Sequence, residues 1–86
     1  MTKTEQEFLR YIGKRIATLR RSKDLTQVAV CALIDMEKTN LSAIENGRQN
    51  VTSLTLLKIA NAIGVEVGDF FIPPKEDRDK GDTLKT

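Results

Sequence analysis

The chain has 86 residues, enough for one small domain with a modest core. It holds no histidine and one cysteine, which excludes histidine-based catalysis, a histidine-containing zinc site and an intramolecular disulfide. No apolar run is long enough to cross a membrane, and M-T-K-T-E-Q-E lacks the apolar segment of a signal peptide, so a cytoplasmic protein is expected. Net charge is only +2, but it is unevenly spread. Residues 1–65 carry ten Lys/Arg against six Asp/Glu, a net +4, and residues 66–86 carry four against six, a net −2. A positive part and an acidic far end fit a chain with one phosphate-facing side.

Residues 1 to about 5 are expected to fray. Phe8, Ile12, Ile16 and Leu19 recur at helical spacing and predict a first helix ending near Ser22-Lys23-Asp24. Gly13 weakens that helix slightly relative to alanine. Thr26 is placed to cap a second helix, Gln27 to about Ile34, which Asp35 and Met36 break. Cys31 lies within it among Val30, Ala32 and Ile34, as a buried structural thiol would. A third helix starts near Glu37 and stops at Asn46-Gly47, where glycine takes a left-handed cap freely.

The third helix has two different sides. At about 100° per residue, Leu41 and Ile44 fall on one side with Glu45 flanking them. Thr39, Ser42, Ala43 and Asn46 fall on the other, with Lys38 on the flank. Short polar and methyl-bearing side chains suit close approach to base edges in a major groove. The bland alternative is a neutral surface. Arg48, Gln49 and Asn50 follow, an arginine and two amides suited to phosphate contacts.

Thr52 is placed to cap a fourth helix, Ser53–Ile63, with Leu56, Leu57, Ile59, Ala60 and Ile63 as its buried face and Gly64 as its end. A short fifth helix is expected over Val67–Phe71, before Pro73-Pro74. Residues 1–72 then form one domain. Residues 73–86 are a charged tail expected to be disordered.

Five pieces of the chain, in order and at matching spacing, resemble the lambda-repressor-like (Cro-repressor type, XRE) helix-turn-helix proteins. They are Ile12-Gly13-Lys14-Arg15-Ile16, then Leu19-Arg20, then Leu25-Thr26-Gln27. Leu41-Ser42-Ala43-Ile44-Glu45-Asn46-Gly47-Arg48 and Leu56-Leu57-Lys58-Ile59-Ala60-Asn61-Ala62-Ile63-Gly64-Val65 complete the match, which covers residues 8–71. The resemblance implies an all-α, compact five-helix DNA-binding domain, with the helix-turn-helix formed by helices 2 and 3. It implies a regulator that acts in transcription, usually as a dimer, and a homodimeric repressor is expected here. The chain has no histidine, no phosphate-cradling glycine loop and no metal-ligand cluster, so an enzyme, a metal or a cofactor is not expected.

On that reading Lys38, Thr39, Ser42 and Ala43 face bases. Gln27 contacts a phosphate by resemblance, and Asn40, Asn46, Arg48 and Asn50 are further backbone candidates. By resemblance again, Arg20 pairs with Glu45 and locks the first helix to the third. Val65, Val67, Phe70, Phe71 and Ile72 either face the core or join helix four in a dimer interface, and the dimer is the favoured reading.

Three features depart from the family. Asp24 and Asp35 stand where glycine is common, although Asp tolerates the left-handed region. Met36 and Glu37 stand where Ser or Thr usually caps the third helix. Val28, Ala29, Ala32 and Leu33 make the second helix apolar on a side that is usually polar. That patch supports a second reading, a protein-interaction module on the same scaffold, such as the antitoxin of a toxin–antitoxin pair.

Overall fold

A computed structural model describes residues 1–72; the expected disordered tail lies outside the described residues. Four α-helices run in the order α1 (Lys3–Ser22), α2 (Gln27–Ile34), α3 (Lys38–Glu45) and α4 (Ser53–Ile63). No strand occurs among the described residues. The helix count is four, not five. The segment Val67–Phe71 is a 3-10 helix, with the Asp69 amide donating to Glu66 O at 2.9 Å. Short connecting segments commonly take this tighter i→i−3 form. Ile72, which precedes a proline, is already extended at φ −101°, ψ 132°.

Caps set the helix ends. Thr26 Oγ1 accepts from the Ala29 amide at 3.0 Å, and Thr52 Oγ1 accepts from the Thr55 amide at 3.1 Å. The N-terminus does not fray as expected. Thr2 Oγ1 accepts from the Glu5 amide at 3.1 Å and Glu5 Oε1 accepts from the Thr2 amide at 2.8 Å, a reciprocal box that starts α1 at Lys3. Only α3 begins without a side-chain cap, since Glu37 makes no such bond.

All four helices end in the same way. Asp24, Asp35, Gly47 and Gly64 are the positive-φ residues among the described residues, one just past each helix. The amides that follow them return to the last turn: Leu25 to Arg20 O, Met36 to Cys31 O, Arg48 to Ala43 O and Val65 to Ala60 O. Aspartate at +58° and +53° carries a cost of about 1–2 kcal/mol that glycine avoids. Glycine in turn loses about 0.5–1 kcal/mol of additional chain entropy on folding. Asp24→Gly and Asp35→Gly are therefore expected to be neutral or mildly stabilising, while Asp35→Val is destabilising. Thermal melts check this, and a melting point several degrees lower for Asp35→Gly would contradict it.

The core is built from all five elements. Ile12 and Ile16 of α1 meet Val30 and Cys31 of α2, Leu41 and Ile44 of α3, Leu56, Ile59, Ala60 and Ile63 of α4, and Phe70. Burial pushes the Cys31 thiol up and keeps it protonated, with the Glu45 charge adding to the shift and Arg20 opposing it. Two residues of the expected apolar stripes are not in the core. Phe8 of α1 is 53% exposed, and Leu57 is 45% exposed at the edge of the buried stripe of α4.

Two glycines let α3 lie close against α1. A methyl group at Gly13 would fall 2.6 Å from Glu45 O and would also strike Ile44 O. One at Gly47, where φ is +70°, would fall 2.7 Å from Arg10 Cα. Gly13 is therefore a backbone contact between helices rather than the mild helix weakening expected from propensity alone.

Candidate nucleic-acid interface

The placement of α3 rests on a buried polar network. Arg20 Nε donates to Glu45 Oε2 at 2.8 Å and Arg20 Nη2 donates to Glu45 Oε1 at 3.0 Å. This forked arrangement matches the geometry of a carboxylate. Arg20 Nη1 also donates to Leu25 O at 2.8 Å, and Gln27 Nε2 donates to Glu45 Oε1 at 2.9 Å. The network thus joins α1, the turn after it, α2 and α3. Arg20 is 6% exposed and Glu45 9%, and no buried side-chain polar atom among the described residues lacks a partner. The hydrogen bonds that Arg20 donates to Glu45 hold the guanidinium charge more firmly than usual.

With Leu41, Ile44 and Glu45 inside, the other side of α3 faces out. Lys38, Thr39 and Asn40 are exposed, while Ser42 and Ala43 are half-buried. Asn46 is exposed, but its Nδ2 donates to Ser42 O at 2.8 Å, so the amide is turned back onto the helix end. Arg48 and Asn50 are exposed in the loop that follows. Gln27 is half-buried and engaged by Glu45, so it serves the network that orients α3 as well as lying near the surface.

A shallow open cleft of about 560 Å³ separates the end of α1 from the starts of α2 and α3. Arg21, Thr26, Gln27 and Lys38 line it. Arg21 is an exposed basic residue in the last turn of α1. Its place beside Lys38 depends on how α1 crosses the turn, which residue spacing does not record.

The segment expected to pair two copies divides into two parts. Phe70 is wholly buried in the core of the single chain, so its side chain is removed from the expected interface. Val65, Val67 and Ile72 are half-buried, and Phe71 is 46% exposed. Phe71 lines an open groove with Leu54, Leu57 and Val67. Leu54 and Leu57 are the members missed from the sequence; their i, i+3 spacing on α4 was the available signal. On α2, Val28, Ala32 and Leu33 are exposed and Ala29 is half-buried. No helix among the described residues is long and apolar enough to cross a membrane.

Known proteins share this arrangement. A family model described as helix-turn-helix (HTH_3) matches residues 16–70. Control protein C.MunI from Mycoplasma sp is 38% identical over 60 residues, 69% of this chain and 81% of its own length. The HTH-type transcriptional regulator y4dJ from Sinorhizobium fredii, itself uncharacterized, is 40% identical over 65 residues, 76% of this chain and 84% of its own. Among solved structures, the restriction-modification controller protein C.AhdI from Aeromonas hydrophila matches with a TM-score of 0.71 and 30% identity, covering 73% of this chain and 96% of its own. The chain belongs to the helix-turn-helix family and is a transcriptional regulator of the XRE type, similar to restriction-modification controller proteins.

Proposed function

We propose that residues 1–72 form a sequence-specific DNA-binding domain that binds a palindromic operator as a homodimer, with α3 in the major groove. The observation that carries this is the outer side of α3. Lys38 and Thr39 are exposed, Ser42 and Ala43 are partly so, and the helix beneath them is held by Arg20, Gln27 and Glu45. A rigid helix with short side chains can approach base edges closely. Lys38 donates to guanine, Thr39 and Ser42 donate or accept, and Ala43 touches a thymine methyl. Arg48, Asn40 and Asn50 contact phosphates, with Gln27 and Asn46 contributing at the helix ends.

Pairing uses the groove of Leu54, Leu57 and Phe71, backed by Val65, Val67 and Ile72. Two copies then address half-sites about one DNA turn, roughly 34 Å, apart. Similarity to controller proteins supports repression or control of a restriction-modification system as the particular role. Selection from random duplexes with the purified protein tests the reading. The expected product is a palindrome with half-sites one turn apart; failure to enrich any sequence, or enrichment of a lone asymmetric half-site, opposes it.

The exposed Val28, Ala32 and Leu33 support a second reading, a protein partner on α2 of the antitoxin–toxin kind. Recovery of one stoichiometric protein and no DNA in a pull-down favours that reading over the first.

A further inference from the structure

We infer that the dimer surface extends onto α1, where a second copy of this chain covers Phe8 together with Phe71. This rests on the pairing reading above and names a part of the surface which that reading does not include. The Phe8 and Phe71 rings stack with centroids 6.2 Å apart and planes 28° from parallel. Phe8 is nevertheless 53% exposed and Phe71 46%. Each ring covers one side of the other and leaves the rest to water. Tyr11, 38% exposed, follows Phe8 one turn on along the same stripe of α1.

Area argues for the extension. A half-exposed aromatic ring offers about 100 Å². Leu54, Leu57 and Phe71 together thus offer roughly 300 Å² of apolar surface, against about 800 Å² per partner in a stable pair. Phe8 adjoins that patch through its stack on Phe71, with Tyr11 one turn further along α1, and adding them brings the apolar centre closer to the size a pair requires.

Charge argues for a second copy as the occupant. The groove that holds Leu54, Leu57, Val67 and Phe71 is lined by no charged residue, in a chain that is 30% charged, and Glu5 is the one charged residue lining the hollow beside Phe8. The nearby Arg15 guanidinium is turned inward, its Nη2 donating to Asp69 O at 3.0 Å. A twofold interface sets a patch against itself, so a charged patch repels its copy and an uncharged one does not. The same arginine and the aromatic stack fasten α1 to the 3-10 helix. Pairing at Phe8 therefore presses on the helix that also carries Gly13 and Arg20, the two contacts that place α3.

The chain contains no tryptophan, so Phe8→Trp reports from this position alone. Sedimentation of that variant and its tryptophan emission are followed over the same concentration range. A blue shift that tracks dimer formation is expected. Emission that stays constant while the protein dimerises overturns the inference and leaves pairing at α4 intact. In parallel, Phe8→Ala is expected to weaken dimerisation ten- to a hundredfold. Leu54→Asp serves as the reference for pairing itself. Dimerisation unchanged by Phe8→Ala but abolished by Leu54→Asp overturns the α1 extension only. A wild-type protein that stays monomeric at every concentration overturns both readings.

Discussion

Replacement of Arg20 by alanine is expected to destabilise the fold by about 3–5 kcal/mol, while replacement of its neighbour Arg21 costs close to nothing. Arg20 is buried and donates to Glu45 twice and to Leu25 O once. Without it, Glu45 remains buried with Gln27 as its surviving partner in the network. An uncompensated buried carboxylate must either bear the loss of solvation or take up a proton. Arg21 is exposed and makes no ion pair among the described residues. Small domains hold only about 5–15 kcal/mol in total, so Arg20→Ala removes a large share of the stability. Urea titrations of the two variants measure the difference directly. Equal midpoints would contradict a network that holds α1, α2 and α3 together.

Gly13→Ala is expected to destabilise, although alanine is the better helix former by about 1 kcal/mol. The added methyl would sit 2.6 Å from Glu45 O and would also strike Ile44 O, and neither carbonyl moves without moving α3. Overpacking of this kind costs about 1–3 kcal/mol, and valine in place of alanine costs more. Gly68→Ala is the matched control, since a methyl there meets nothing within 4 Å. It should be neutral. A melting point for Gly13→Ala at or above wild type would show that α3 is not seated on the α1 backbone.

These two residues show what was legible from the sequence. The bounds of α2 and α4 followed from Thr26, Thr52 and apolar spacing, because caps and periodicity are local. The Arg20–Glu45 pairing was implied by resemblance alone, since residues 25 positions apart leave no mark in spacing. Gly13 read as a helix defect, because propensity describes one helix and its reason lies in the backbone of another. Gln27 was legible as a polar residue at a helix start, but not as the third member of the network. Phe8 and Leu57 fit an apolar stripe, yet a stripe does not say how far the neighbouring helices reach over it. The Thr2–Glu5 box was visible in the sequence and lost to the general expectation that termini fray. The outer side of α3 came directly from its 100° periodicity, with Lys38 and Thr39 exposed and Leu41 and Ile44 buried.

Whether α3 reads DNA is tested most directly by fluorescence-anisotropy titration of the selected operator and a scrambled duplex, repeated over a range of salt. Lys38→Ala and Thr39→Ala are each expected to lose about 1–3 kcal/mol on the operator, little on the scrambled duplex, and to relax preference at one base pair per half-site. Arg48→Ala should weaken both duplexes alike and flatten the log–log salt slope by roughly one unit per monomer. If Lys38→Ala and Thr39→Ala bind the operator as wild type does and keep the same base preference, α3 is not the reader, and a protein partner at Val28, Ala32 and Leu33 takes its place.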